Sequence, residues 1–514
     1  MMHAEFIETV NRLEQYARRE PGKYRLRVGL LAALGYAYLL LALAVLLCLF
    51  GGVIYLMFEG GHFNFLEVKF ALVLLTLAAV VARALWVKVP APTGVEIGRA
   101  EAPQLFALAD ELTKELEAPR VHTVLVNGAY NASLSQVPRL GIFGWHRNYL
   151  TLGLPLMQAL TPEQFRAVVA HELGHLSGNH GRFGSWIYRV RMTWAQLLER
   201  LARERRRGSA VFTKFVNWYA PHFNAYSFVL ARQHEYDADR AAAQAAGPRD
   251  TAEALAVIEL KGSYLSERYW PEVFSRADEQ AEPTRGSYAG MAEALRRAVP
   301  DAQAYLRRSL AQETGYDDTH PSLAARLEAL GLDDASREEL VERLAREHAA
   351  QGETAAARYL GAHEEALARL LDEDWCVQVG AVWRDRHRYV KESRARLAAL
   401  EEKARTSELT LEEAWKRAYW TAEFKGADEA VPLLRELVAR RPRHADANFM
   451  LGQILIARGE ESGVEHVERA MSAEPKSVPA GCQMLYAFFR EQGREPEAEK
   501  YRRRLIEHYN SASG

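Results

Sequence analysis

A run without charged residues constrains this chain more than any other feature of its sequence. No Asp, Glu, Lys or Arg occurs from Val28 to Phe58, a length of 31 residues. About 20 apolar residues of helix cross the roughly 30 Å hydrocarbon core of a bilayer, so the run predicts a transmembrane helix. A secretory signal peptide is the alternative, but its apolar region is typically about 7–15 residues long. The basic segment from Arg12 to Arg27 is also long for a signal peptide.

A second apolar stretch decides the predicted topology. Phe70–Ala82 has a basic residue at each end, and the longer segment Phe65–Val87 could span if those two side chains reach the headgroup level. We therefore predict a hairpin of two transmembrane helices over residues 28–88. The basic residues of segment 1–27 then place the N-terminus in the cytoplasm, and everything after Lys88 lies on that side of the cell (inner) membrane. With only one span, the same part of the chain lies outside.

Composition excludes several classes of protein. The chain has 514 residues, with 65 Lys+Arg against 67 Asp+Glu, so its net charge is −2. Its hydrophobic fraction of 49% excludes a largely disordered chain. The balanced charge gives no electrostatic reason to expect nucleic acid as a partner. Cys48, Cys376 and Cys482 are too few and too scattered for a disulfide framework or a cysteine-ligated metal site.

The sequence after the apolar stretches consists of a region with both helix and strand patterns, followed by a region with helix patterns only. After the stiff linker Pro90–Pro92, residues 93–330 mix helical periodicity with short strand patterns. The strand candidates are Val121–Val126, Asn131–Val137 and Tyr149–Leu152. Strand signals disappear after about residue 335, so we predict a helical connector over 335–405.

The segment 406–510 carries an internal repeat. Three glycines recur at intervals of 33 and 34 residues: Gly426, Gly459 and Gly493. Pro442 and Pro475 are likewise 33 residues apart. This is the period of tetratricopeptide (TPR) helical hairpins, which stack because one hairpin cannot bury its own apolar face. We predict TPR-like helical repeats here, and a generic helical bundle is the alternative.

The motif His171-Glu172-Leu173-Gly174-His175 contains candidate metal-binding and catalytic residues. Upstream, Thr161-Pro162-Glu163-Gln164 is a strong helix start with a capping box. Residues four apart share one face of a helix, so both imidazoles can reach one metal ion. Glu172 lies about 100° round the helix, where it can accept a proton from a water at the ion. The alternative is an ordinary helix with two surface histidines.

A catalytic zinc site usually takes three protein ligands, and the third must come from elsewhere. In the extended HExxHxxGxxH pattern it would stand at position 181, which is glycine here, and His180 comes one residue early. A carboxylate on a later helix is the other source. Glu235 and Asp239 lie one helical turn apart, so Glu235 can bind the metal while Asp239 orients a histidine ligand. His234 is an alternative ligand, but it points about 100° away from that face.

These features together resemble the HtpX and CAAX prenyl protease family of membrane zinc metallopeptidases. The resemblance rests on the HELGH motif, on Leu230–Asp239 and on the membrane hairpin, and it covers roughly Asn131–Leu330. It implies an α+β zincin-type catalytic domain over 93–330 and one zinc ion per chain. The implied zinc ligands are His171, His175 and Glu235.

The same resemblance assigns roles to other residues. Glu172 is the implied general base, and Asp239 supports the metal site. The implied substrate-edge strand comprises Asn131, Ala132 and Ser133. The implied site-closing loop and helix contain His320, within Thr319-His320-Pro321, and Arg326. We add the hypothesis that His320 reaches the open zinc position in a resting state.

One segment departs from the family pattern. Where other members carry further apolar spans after the HELGH helix, this chain has a basic patch at Arg200–Arg207 and an aromatic-rich segment, Ser209–Ala231. The polar residues within the aromatic segment indicate an interfacial or core helix. We therefore do not expect specificity for prenylated substrates.

The sequence thus predicts a mainly α protein with a small mixed β-sheet, N-terminal transmembrane helices and C-terminal helical repeats. The predicted function is a membrane-anchored zinc-dependent endopeptidase that acts on membrane or misfolded proteins. Its expected partners are protein or peptide substrates, the lipid bilayer and a protein bound by the repeats. The alternative from another class is a membrane-tethered TPR adaptor with a latent metallopeptidase domain.

Overall fold

The computed structural model describes most of the chain. The described residues are 3–59, 64–85, 90–139, 146–177, 183–184, 186–187, 190–191, 194, 210–316, 318–347 and 352–512. His180 and the basic patch at 200–207 therefore lie outside the described residues.

The first part of the chain contains both helices and strands. Their bounds are α1 His3–Arg19, α2 Pro21–Glu59, α3 Phe65–Leu85, β1 Val95–Ile97, α4 Pro103–Glu115, β2 Thr123–Asn127, β3 Ala132–Pro138, β4 His146–Gly153, α5 Leu154–Ala159, α6 Pro162–Gly174, α7 Ala210–Ala246 and α8 Pro248–Tyr264.

All later elements described are helical. A π-helical turn, Leu265–Tyr269, follows α8, and 3-10 turns lie at Arg276–Asp278 and Pro475–Ser477. The helices are α9 Trp270–Ser275, α10 Ser287–Arg296, α11 Ala302–Ala311, α12 Leu323–Ala329, α13 Asp334–Glu347, α14 Ala355–Leu360, α15 His363–Thr406, α16 Leu411–Phe424, α17 Ala427–Arg440, α18 Ala445–Ala457, α19 Ser462–Ala473, α20 Val478–Glu491 and α21 Glu495–Ala512. The predicted fold class, mostly helical with a small mixed sheet, is confirmed.

The described sheet has four strands in the order β1-β2-β4-β3. The β2 and β4 strands are parallel, whereas β1 pairs with β2, and β3 with β4, in the antiparallel sense. The β3 strand therefore lies at one edge of the sheet. The sequence predicted the other three strands and missed β1, which at three residues is too short for an alternating pattern to register.

Two N-terminal helices are long and apolar enough to cross a membrane: α2 and the segment Phe65–Arg83 of α3. The first half of α2 packs against α7 through buried residues such as Val28 and Ala32. The opposite end, from Leu40 to Phe58, leaves many large apolar side chains exposed. Because about 20 apolar residues match a bilayer core, the exposed end of α2 is the part suited to lipid.

Residues 210–231, the described part of the aromatic-rich segment, form the first half of α7. Its residues Tyr219, Phe223 and Phe228 are buried in a cluster that includes residues of α1 and α2. The same helix continues without interruption to Ala246. One helix therefore connects the aromatic core beside α2 with the acidic residues predicted to serve the metal site.

The chain divides into two compact units. The first comprises Met1–Phe274 and Thr284–Gln378, and the second comprises Ser275–Pro283 and Val379–Gly514. Within the second, α16–α21 form three packed helix pairs. The turn inside each pair contains a glycine with positive φ, which glycine adopts without steric cost; these are Gly426, Gly459 and Gly493. The tetratricopeptide interpretation and the predicted domain limits stay predictions.

Candidate metal centre

The helix α6 presents the two histidines of the HELGH motif on one face. The predicted capping box is confirmed: Thr161 Oγ1 accepts from the N–H of Gln164 and Gln164 Oε1 accepts from the N–H of Thr161, each at 3.2 Å. The helix ends at Gly174, so His175 caps its C-terminus. The Nε2 atoms of His171 and His175 are 3.2 Å apart. Their one-turn spacing therefore brings both imidazoles to the same point.

The helix α7 supplies a carboxylate at that point. Glu235 is 6% exposed, and its two oxygens lie 3.6 Å from His171 Nε2 and 3.6 Å from His175 Nε2. Its Oε2 atom is buried and has no hydrogen-bond partner among the described residues. A buried polar atom without a partner is costly, and a ligand bound between the three side chains would remove that cost.

Close packing of α7 on α6 allows Glu235 to reach the two histidines. A Cβ atom added at Gly174 would lie 3.0 Å from Ala241 Cβ and 3.1 Å from Ala238 Cα. The glycine of the HELGH motif therefore allows α7 to pack directly on α6. Any larger residue at position 174 would move Glu235 away from the histidines.

The geometry fits a tetrahedral metal ion. The three candidate ligand atoms all lie within 4.8 Å of one another. Two donors that each stand about 2.0–2.1 Å from a tetrahedral zinc ion are about 3.4 Å apart, close to the distances of 3.2 and 3.6 Å found here. Two histidines and one glutamate also form a known donor set of catalytic zinc sites. The residues present therefore fit the group that the motif implies.

Asp239 and Arg326 hold His171 in position. Oδ1 of Asp239, which is 1% exposed, lies 3.0 Å from His171 Nδ1. Arg326 donates to both oxygens of Asp239, from Nη2 at 2.6 Å and from Nε at 2.9 Å. A carboxylate that accepts the Nδ1 proton of a histidine leaves Nε2 free to face an ion and fixes the ring orientation.

The surrounding charges and burial shift the pKa values of the two histidines in opposite directions. Burial lowers the pKa of His171, but its hydrogen bond to Asp239 and the carboxylate of Glu235 outweigh burial and raise the pKa to about 9. Burial, together with the charge of His171, lowers the pKa of His175 to about 3. Burial raises the pKa of Glu235, but the adjacent imidazoles outweigh it and lower the pKa to about 2. The surroundings therefore raise the pKa of His171 and lower the pKa of His175.

Glu172 lies between the metal site and the sheet edge. Its Oε2 accepts a hydrogen bond from the backbone N–H of Leu134, at 3.1 Å. Burial raises the pKa of Glu172 to about 7, with His171 opposing and Glu235 adding to the rise. A carboxyl with a pKa near 7 can both accept and release a proton at neutral pH.

The predicted substrate-edge residues lie at the start of the edge strand. Asn131 precedes β3, while Ala132 and Ser133 are its first residues and pair with β4 on one side only. The N–H of Ala132 is satisfied locally by the Asn131 side chain, at 2.9 Å. An edge strand presents unpaired backbone groups to an added strand, so the position suits the predicted role.

The predicted closing loop lies beside the metal site. His320 is exposed, and its Nε2 lies 3.7 Å from Glu235 Oε2. Its Nδ1 contacts Asp318 Oδ1 at 2.8 Å. Arg326 stands on α12, immediately after this loop. The structure thus places His320 next to the three candidate metal ligands. Its proposed role in a resting state stays a hypothesis.

The alternative ligand His234 is not among the three converging side chains and lies close to Gly184.

One feature of the site was not found from the sequence. A cavity of about 320 Å³ opens beside His171 and Glu172, and Tyr130 and Glu259 are among its lining residues. The only sequence signal for Glu259 is an acidic residue within an apolar stretch of α8, which a solvated helix face explains equally well.

Comparison with known proteins agrees with the site. The model of Peptidase family M48 matches residues 110–332, a segment that contains every residue named in the metal site. That family includes HtpX and CAAX protease-like zinc metallopeptidases, so the resemblance seen in the sequence is confirmed. None of the curated proteins compared with the chain matches it.

Proposed function

From the match of residues 110–332 to the model of Peptidase family M48, a metallopeptidase family, we propose that the chain is a membrane-anchored zinc endopeptidase. The observation that carries the proposal is the convergence of His171, His175 and Glu235 beside Glu172 and an open sheet edge. These parts are the minimum for hydrolysis of a peptide bound as a strand. The metal, the endopeptidase mode and the membrane location are parts of the proposal.

The three ligands would hold one zinc ion per chain. When bound, zinc supplies Lewis acidity, which polarises the scissile carbonyl and makes a water acidic enough to attack at neutral pH. Two neutral imidazoles and one carboxylate reduce the ion's charge only partly, so its Lewis acidity is kept. Asp239 and Arg326 keep the His171 ring aligned throughout.

Glu172 would move the protons. It accepts one proton from the attacking water and later donates it to the leaving amine nitrogen. In the free protein its carboxyl accepts from the Leu134 N–H. A substrate strand that pairs with β3 competes for this N–H, so substrate binding would release Glu172 for proton transfer.

Substrate recognition would be mainly through the backbone. An extended peptide that adds to β3 makes main-chain hydrogen bonds, which are independent of sequence. Such binding selects unfolded or extended segments rather than one fixed sequence. Membrane or misfolded proteins are therefore the proposed substrates.

The membrane hairpin would place the catalytic domain in the cytoplasm. With both α2 and α3 spanning and the basic N-terminus inside, reporter fusions placed after Lys88 are expected to be active in the cytoplasm. The measurement pairs a cytoplasmic reporter with one that works only outside the inner membrane. Activity of the outside reporter at this position would overturn the two-span topology.

The C-terminal helix pairs would bind a protein partner or orient substrates. Stacked helical hairpins form extended surfaces of this kind. The alternative of an adaptor with a latent peptidase domain finds no support in the comparisons, since the family they identify is a peptidase family.

The test of the function uses the full chain purified in detergent. We expect about one zinc ion per chain by metal analysis, and cleavage of an unfolded protein such as casein that stops when the zinc is removed. Mass spectrometry of the products is expected to show internal cuts. Trimming from one end only would contradict the endopeptidase mode, and activity that survives zinc removal would contradict the mechanism.

A further inference from the structure

The cavity beside the metal site has a defined relation to a bound substrate, and the following rests on the proposed function. It has a volume of about 320 Å³ and reaches from His171 and Glu172 to Tyr130 and α8. Pockets that bind small groups start at about this size. The cavity can therefore hold one long side chain of a peptide.

The direction of the edge strand tells which substrate residue enters the cavity. The sheet edge runs from Ala132 to Pro138, and an antiparallel substrate runs the opposite way. Residues that follow the scissile bond then lie towards Ala132 and Tyr130, the end at which the cavity opens. The cavity therefore faces the residue immediately after the scissile bond.

The lining of the cavity combines aliphatic surface with polar and charged side chains, among them Thr251, Glu259 and Arg326. Val168, Leu255 and Ile258 supply aliphatic surface. Tyr130 packs against Gly262, whose added Cβ would stand 3.2 Å from the ring, and Gly262 is three residues beyond Glu259. The hydroxyl of Tyr130 is buried and has no hydrogen-bond partner among the described residues. Aliphatic surface together with a hydroxyl and a carboxylate in one cavity fits a long side chain with a polar tip.

The balance of charge identifies the sign of that tip. Asp239 is paired with Arg326, and Asp318 is paired with His320. Glu259 makes no hydrogen bond or ion pair with any residue in the described part of the chain. Desolvation raises the pKa of its carboxyl, and the nearby charges of Arg326 and His320 oppose this rise. Glu259 is exposed in the free protein, so its carboxylate is accessible to a cation that enters the cavity.

We propose that this cavity binds the side chain of a lysine or arginine that directly follows the scissile bond, and that Glu259 selects it. The aliphatic part of such a side chain lies along Val168, Leu255 and Ile258. Its cationic tip donates to the Glu259 carboxylate and to the Tyr130 hydroxyl. The enzyme thus cleaves before basic residues in segments that are otherwise recognised through the backbone.

The test begins with the wild-type enzyme and a peptide library whose cut sites are mapped by mass spectrometry. The best peptide is then made with lysine, norleucine or glutamate after the scissile bond. Norleucine keeps the aliphatic chain of lysine and lacks its charge. We expect kcat/KM to be about 10–100-fold higher for lysine than for norleucine, the usual effect of a hydrogen bond to a charged group.

Variants then assign the preference to one residue. Glu259→Gln is expected to lower kcat/KM for the lysine peptide to about that of the norleucine peptide, whereas Glu259→Lys is expected to favour glutamate. Asp250→Asn is the matched control, since Asp250 stands on the same helix and is absent from the cavity lining. A lysine preference that persists in Glu259→Gln, or its absence in the wild type, would overturn the proposal.

A binding measurement separates this inference from the function itself. The Glu172→Gln variant is titrated with the lysine and norleucine peptides, and tighter binding of lysine by about tenfold or more is expected. If the wild type cleaves no library peptide, the proposed function fails, and the same titration with lysine and norleucine versions of one library peptide decides the cavity's preference. Equal binding of the two peptides would refute the role of Glu259 even in an active enzyme.

Discussion

The Glu172→Gln variant is expected to lose about 10²–10⁴-fold in kcat for peptide hydrolysis while it retains its zinc. Glutamine has nearly the same shape as glutamate but cannot accept the proton of the attacking water, and positioned acid–base groups contribute rate factors of this size. Glu172 is not among the three candidate ligands, so metal content is unaffected. The measurement is cleavage of casein or of the best library peptide, together with zinc analysis of the same sample.

A matched substitution on the same helix makes this result specific. Glu163 is exposed in the first turn of α6, so Glu163→Gln is expected to leave both kcat and zinc content at wild-type values. Loss of zinc in Glu172→Gln would assign this residue to metal binding rather than to proton transfer. An unchanged kcat would exclude Glu172 as the base.

Zinc affinity is expected to increase about tenfold per pH unit between pH 6 and about 9. His171 must lose its proton before it can bind a metal, and its pKa is raised to about 9. His175 and Glu235, with pKa values lowered to about 3 and about 2, are already deprotonated throughout this range. Zinc binding therefore displaces one proton per ion over this range. If both histidines had ordinary pKa values, zinc affinity would not change with pH above about pH 7.

Competition with a chromophoric chelator, corrected for the chelator's own protonation, measures this slope at each pH. The Asp239→Asn variant loses the carboxylate that contacts His171, so its His171 pKa is expected to fall and the sloping range to move to lower pH. Loss of such a supporting hydrogen bond also weakens metal binding about 10–100-fold. A wild-type affinity that is flat from pH 7 to 9 would contradict the raised pKa of His171.

Local patterns in the sequence predicted the elements that depend on near neighbours. The cap at Thr161 and the one-turn spacing of His171 and His175 each involve residues three or four apart, whose relation a helix determines by itself. The strand that carries Ala132 was found in the same way. The β1 strand was missed because its pairing with β2, rather than its own three residues, makes it a strand.

The choice of the third candidate ligand needed the packing of distant elements. Glu235 is 64 residues from His171, and the sequence left His234 and His180 as alternatives to it. The close contact of α7 with α6 at Gly174 turns Glu235 towards the histidines. Helical periodicity could place Glu235 and Asp239 on one face of α7, but it could not say which side of α7 meets α6.

The sequence by itself determined the apolar helices, the metal-binding motif and the mainly helical class, because each depends on composition or on spacing within one element. Only the tertiary structure decided the raised pKa of His171, the contact of Glu172 with the edge strand and the cavity lined by Glu259. These properties depend on distances between elements far apart in the chain and on the water that their packing excludes. Desolvation and charge pairing arise only when those elements meet, so no spacing along the chain encodes them.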